Sequence, residues 1–68
     1  MKSITKKIVL PDWTRWLAQN CNGSWYAYEF LPVHDDMEMA WHAPDGKEEL
    51  ICDGVINKAT RSTLTRIV

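Results

Sequence analysis

Two groups of residues in this chain have side chains suited to a reactive or metal-binding centre. Cys21, His34, His42 and Cys52 are the ligand types that hold zinc. Their intervals of 13, 8 and 10 positions contain no short Cys-x2-Cys pair of the kind from which structural zinc sites are built. His34-Asp35-Asp36 sets a histidine beside two carboxylates, the raw material of general acid and base catalysis. Three polar neighbours following Leu31-Pro32 equally describe a solvated turn, and no phosphate-cradling loop, helix-borne metal pair or nucleophile motif accompanies them. A chain of 68 residues is also expected to be too short to enclose a substrate pocket and keep a core. The expectation is a protein that is not an enzyme, with no catalytic residue, no metal and no cofactor.

Tryptophan is the compositional excess. Trp13, Trp16, Trp25 and Trp41 each bring a large apolar surface and an N–H that needs a partner, more than so small a core readily takes in. At least one is expected at the surface, Trp25 first and Trp13 second. Exposed aromatics within an acidic rim suit a protein interface, where Trp, Tyr and Met are enriched. The binding residues expected are therefore Trp25, Trp13, Trp41 and Arg15. Stacking on single-stranded bases is the alternative, with Arg15 and the terminal lysines following the phosphates. Around Trp25 and Trp41, however, stand Glu29, Glu38, Glu48 and Glu49, a field of the wrong sign for nucleic acid.

The elements that must position these residues are short. Lys2 to Leu10, with Ile4, Ile8 and Val9, reads as a first strand that Pro11 ends. Asn22-Gly23, between two aromatic-rich runs, marks a hairpin. A three-residue loop with Gly23 in the left-handed position pairs Asn20 with Ser24 and sets Trp16, Tyr26, Tyr28 and Phe30 on one face. That bulged form is preferred because it gathers four aromatics. A two-residue loop would pair Cys21 with Ser24 instead and move Trp16 to the face of Trp25 and Ala27.

A second hairpin is expected from Met37–His42 and Glu48–Cys52 around Pro44-Asp45-Gly46. It would place Met37, Met39, Trp41 and Ile51 on one face, with His42 opposite Glu48. Asp53-Gly54 is a further turn signal. Thr60 to Val68 reads as a final strand, with a short helix near 57–66 as the alternative. The fold class expected is all-β or mainly β, a small antiparallel meander or partly closed barrel of five to six short strands, in one domain over residues 1–68. The helix alternative would make it α+β.

Charge is uneven along the chain. Met1–Ala18 carries a net charge of +3, Gln19–Ile56 of −7 and the remaining tail of +3. The basic end segments can lie beside the acidic middle and offset its charge within the fold, or form a two-faced surface that steers a charged partner. Lysines at positions 2, 6 and 7 occupy the place where a secretory signal would need its apolar stretch, so a cytoplasmic protein with two free thiols is expected. No uncharged run approaches the roughly 20 residues of a membrane span. A domain of this size is thinly stable, which keeps a homodimer open as a third reading, one in which the surplus tryptophans form a dimer core.

The stretch Pro11-Asp12-Trp13-Thr14-Arg15-Trp16-Leu17-Ala18-Gln19, continuing through Gly23-Ser24-Trp25-Tyr26-Ala27-Tyr28-Glu29 to Pro32, resembles a pattern in short uncharacterised proteins of tailed bacteriophages and prophages. It covers about a third of the chain. The resemblance implies an accessory protein of the host cytoplasm that acts by binding another protein, and it supplies no catalytic residues.

Overall fold

The computed structural model describes residues 9–67. Its first element pair is the aromatic hairpin, β1 (Trp16–Gln19) and β2 (Ser24–Tyr28). The register pairs Trp16 with Tyr28, Ala18 with Tyr26 and Gln19 with Trp25, and the Asn20 N–H donates to the Ser24 carbonyl at 3.0 Å. This is the bulged register, with Gly23 at φ +94°. Glycine occupies that conformation without the clash a Cβ would cause. The Asn22 side chain accepts the Ser24 N–H at 3.0 Å, closing the loop locally.

β3 (Val33–Asp35), β4 (Ala40–His42), β5 (Glu48–Asp53), a 3-10 turn over Thr60–Thr63 and β6 (Thr65–Arg66) complete the described chain. The protein is mainly β, with six short strands in two antiparallel sheets among the described residues. One sheet runs β5-β2-β1-β6 and the other is the β3-β4 pair. The larger sheet stays open and does not close into a barrel. Of the expected first strand, residues 2–8 lie outside the described residues, while Val9 and Leu10 have no strand pairing.

Two pairings differ from the sequence expectation. β4 does not pair with β5: it turns back on β3, with Val33 opposite His42 and Asp35 opposite Ala40. Asp35 explains the reversal, since its carboxylate accepts the N–H groups of Met37 and Glu38 at 2.9 and 3.2 Å, a local bonding that competes with strand pairing. Met37 is consequently 95% exposed instead of facing a core. The chain bends at Pro44-Asp45-Gly46, with Gly46 at φ +78°, but the bend delivers β5 to the free edge of β2. His42 accordingly meets Glu38 at 3.1 Å, not Glu48. The tail also divides, giving the 3-10 turn and only two residues of strand in place of a continuous one.

The core forms between the two sheets around Ala18, Tyr28 and Trp41, with Trp16, Tyr26, Ala43 and Leu64 packed against it. Trp16, Tyr26 and Tyr28 share the face that the bulged register assigns them. Phe30 leaves it, lies over Gly46 and is half exposed. Trp41 takes the central place, its indole N–H donating to the Thr60 carbonyl at 3.1 Å. Burying a polar N–H is tolerable only with such a partner.

Side chains finish what the short strands leave unpaired. β6 ends before it reaches Gln19, and the Thr63 hydroxyl accepts the Gln19 N–H at 2.9 Å in its place. Gln19, itself buried, donates through its side-chain amide to the carbonyls of Gly23 and Val55 at 2.9 and 2.7 Å. Asn20 accepts the Trp41 N–H at 2.7 Å, which fastens β4 to the hairpin turn.

Burial, together with the Glu48 carboxylate opposite it on β5 and the neighbouring Tyr26, pushes the Tyr28 phenol far above its ordinary range. An unfolded phenol ionises near pH ~10, whereas the folded one stays protonated. Above that pH the unfolded state therefore binds fewer protons than the folded state, and stability falls as pH rises. Urea midpoints compared at about pH 8 and about pH 11 are expected to drop further in the native protein than in Tyr28→Phe. Equal drops would show that Tyr28 does not drive the alkaline loss.

Candidate binding site

The face of the large sheet opposite the core carries an apolar cleft of about 230 Å³, lined by Leu10, Leu17, Trp25, Ile51, Cys52 and Thr65. The sheet explains why these residues meet. Leu17 on β1 is opposite Thr65 on β6, Trp25 on β2 is opposite Cys52 on β5, and side chains of paired residues share a face. A bulge between Trp25 and Tyr26 inserts an extra residue in β5, which brings Ile51 to the cleft as well.

Trp25 is half buried, not fully open. Gly54 lies against its indole, so near that a Cβ there would come within 2.8 Å of Nε1. The indole is thus held from one side and faces the cleft on the other. Trp13 is also half buried. Trp41 is 7% exposed and belongs to the core, which corrects its place among the expected binding residues. It went inside because β3 and β4 fold back together over the hairpin.

Arg15 stands apart from Trp25, in a second, open-sided cleft of about 510 Å³ with Asp12, Trp16, Glu29, Phe30 and Arg66 among its lining residues. The Arg66 guanidinium sits 5.9 Å from the centre of the Trp16 ring, within cation–π range. Both charge signs therefore line this cleft, and its size exceeds what the chain length suggested because it is not enclosed.

Both ring nitrogens of His34 have partners within the fold. His34 Nδ1 lies 2.7 Å from Asp36 Oδ1 and its Nε2 lies 2.8 Å from Thr60 Oγ1. With the proton on Nδ1, the Thr60 hydroxyl donates to Nε2, which is the connectivity of a hydroxyl-histidine-carboxylate triad. Thr60 is completely buried and offers its oxygen to no substrate. The imidazole, packed edge-on against Trp41 at 4.8 Å, instead ties β3 to the 3-10 turn. Of the four zinc-type residues only His42 joins a cluster among the described residues, with Asp35 and Glu38. Its ring nitrogen already faces both carboxylates, at 3.9 and 3.1 Å. Cys21 and Cys52 are free thiols.

The sequence expectation placed Trp25 on the face opposite the aromatic core, where it lies, but did not bring Leu17, Ile51 and Cys52 beside it. Their convergence depends on β5 joining β2, whereas the turn around Gly46 pointed to a local hairpin. Alternation along β1 could have supplied Leu17, since it is two residues from Gln19 on the same face as Trp25. Among the described residues no helix is long and apolar enough to cross a membrane. No protein-family model matches the chain, and neither does any curated protein or solved structure.

Proposed function

We propose that this protein is a non-enzymatic binding module that engages another protein through the apolar face around Trp25. The supporting observation is the cleft itself, a half-buried tryptophan with Leu17, Ile51 and Cys52 on an open sheet face, with the acidic Glu49 on the same face. An aromatic anchor in an apolar patch with a charged rim is the arrangement that concentrates binding energy at protein interfaces. Taken with the hairpin's resemblance to short phage proteins, the role is that of an accessory protein in the host cytoplasm, acting on a host or phage protein.

Trp25→Ala is expected to weaken partner capture by tenfold or more, since central interface tryptophans are worth about 2 kcal/mol or more on truncation. Ile51→Lys should act in the same direction. The measurement is a tagged pull-down from bacterial lysate with and without nuclease, with circular dichroism confirming that each variant folds. Capture that survives both substitutions would sink the proposal.

A second reading, single-stranded nucleic-acid binding, draws on Arg66 and Arg15 beside Trp16, aromatic and basic groups of the kind that hold bases and phosphates. Asp12 and Glu29 on the same cleft weigh against it. Retention that vanishes with nuclease would select it.

A further inference from the structure

β5 is the outermost strand of the large sheet, and among the described residues nothing pairs with its outer side. Which backbone groups it leaves open follows from the register. The Glu29 N–H donates to the Lys47 carbonyl at 3.0 Å, which makes residues 29 and 47 a hydrogen-bonded pair. The next pair, Tyr28 with Glu48, is therefore non-hydrogen-bonded, and the N–H and C=O of Glu48 point away from β2. Leu50, two residues on, repeats that orientation. At the other end the Gly54 N–H donates to the Gly23 carbonyl at 2.7 Å, and the same alternation turns Asp53 outward.

The side chains on this edge are acidic. Glu48, Leu50 and Asp53 lie opposite Tyr28, Tyr26 and Ser24, whereas Glu49 and Cys52 lie opposite Ala27 and Trp25 on the cleft face. Glu48, Glu49, Leu50 and Asp53 are all exposed. A second copy suits this edge poorly. Antiparallel pairing of two β5 strands about their midpoint would set Glu48 against Asp53, and parallel pairing would set Glu48 against Glu48. Like charges directly opposite are destabilising, and charge on an edge is a known guard against self-pairing.

Resting on the protein-binding reading above, we propose that the partner contributes an extended basic segment that adds as a new strand along β5. Its lysines or arginines alternate with apolar residues. The basic side chains lie along Glu48 and Asp53, and the apolar ones extend the cleft face beyond Ile51 and Cys52. Main-chain hydrogen bonds supply the attachment and the alternating side chains supply the selectivity, as in other cases of strand addition.

The probe is a short, end-blocked, fluorescently labelled peptide of alternating lysine and valine, titrated with the full chain and read by anisotropy. Binding is expected, with at least a tenfold weaker response from the counterpart carrying glutamate for lysine. Raising salt from about 50 to about 500 mM should weaken it several-fold, because the charges are exposed and screened. N-methylation at one alternate set of peptide positions should abolish binding and at the other set should not. Leu50→Pro removes an N–H that faces outward, so the sheet should persist while the peptide is lost. Glu48→Lys with Glu49→Lys should reverse the preference between the two peptides, a check independent of whether the proline variant folds.

Failure of the lysine peptide to bind, equal binding of both peptides, or indifference to both N-methyl series would overturn the strand addition. So would a dimer in sedimentation that Leu50→Pro dissolves, since a second copy would then occupy the edge. The two readings fail separately. Partner capture lost in Trp25→Ala with no peptide binding leaves the apolar face and removes the added strand. Peptide binding with capture unaffected by Trp25→Ala does the reverse.

Discussion

Trp41→Ala is expected to leave most of the chain unfolded at ambient temperature. Truncating a buried tryptophan costs about 3–5 kcal/mol through lost burial and the cavity left behind. A chain of this length has a total stability of only about 3–10 kcal/mol. Trp41 also sits where several separate elements meet. It packs in the cluster with Ala18 of β1 and Tyr28 of β2, receives the His34 ring edge-on and bonds the Thr60 carbonyl of the 3-10 turn. Removing it loosens both sheets and the tail together.

Trp41→Phe separates packing from hydrogen bonding. The Thr60 carbonyl also accepts the Thr63 hydroxyl at 2.6 Å, so losing the indole N–H does not strand a buried acceptor. The phenylalanine variant should therefore lose only about 1–2 kcal/mol, the cost of a smaller ring. Urea unfolding followed by circular dichroism measures both. Equal losses for alanine and phenylalanine would show that the bond, and not the packed volume, is what Trp41 contributes.

Gly23→Ala has the second largest expected effect, a loss of about 2–4 kcal/mol. Two independent costs combine. An L-residue at φ +94° is strained, and the added Cβ would stand 2.6 Å from the Gly54 carbonyl oxygen. That oxygen is backbone, held in place by the Gly54 N–H bond to the Gly23 carbonyl, so relief means giving up a hydrogen bond. The disturbance would reach the apolar cleft, because Gly54 is also what lies against Trp25.

Gly46→Ala is the control. Its backbone is similarly left-handed at φ +78°, but the atom its Cβ would meet at 2.5 Å belongs to the Phe30 ring. Phe30 is half exposed and can swing aside. A loss of about 1 kcal/mol is expected, from backbone strain alone. Thermal midpoints of the two variants decide the matter. A Gly46 variant as damaged as the Gly23 variant would mean that the clash with Gly54 adds nothing.

Much of the architecture was legible in residue types and spacing because it depends on local chemistry. Asn22-Gly23 determined the first hairpin, as only glycine takes that backbone conformation freely. The choice between two registers followed from gathering aromatics on one face, and Trp16, Tyr26 and Tyr28 do share it. The short β-prone segments and tight turns also pointed to a mainly β domain of five to six short strands, and the described residues form a mainly β fold. Each of these consequences is settled within about a dozen residues.

Tertiary structure alone decided which strands become neighbours. A turn sequence reports that the chain bends, not which edge the next strand meets. Pro44-Asp45-Gly46 therefore pointed to β4 with β5, while the fold paired β4 with β3 and β5 with β2. That choice sent Trp41 into the core and brought Ile51 and Cys52 beside Trp25. Likewise, the bond between His34 and Thr60 joins residues 26 positions apart, and no local pattern encodes it. The aromatic hairpin was written in the sequence, but the surface it presents was not, because the cleft around Trp25 is made by strands that meet only after hydrophobic burial has selected their partners.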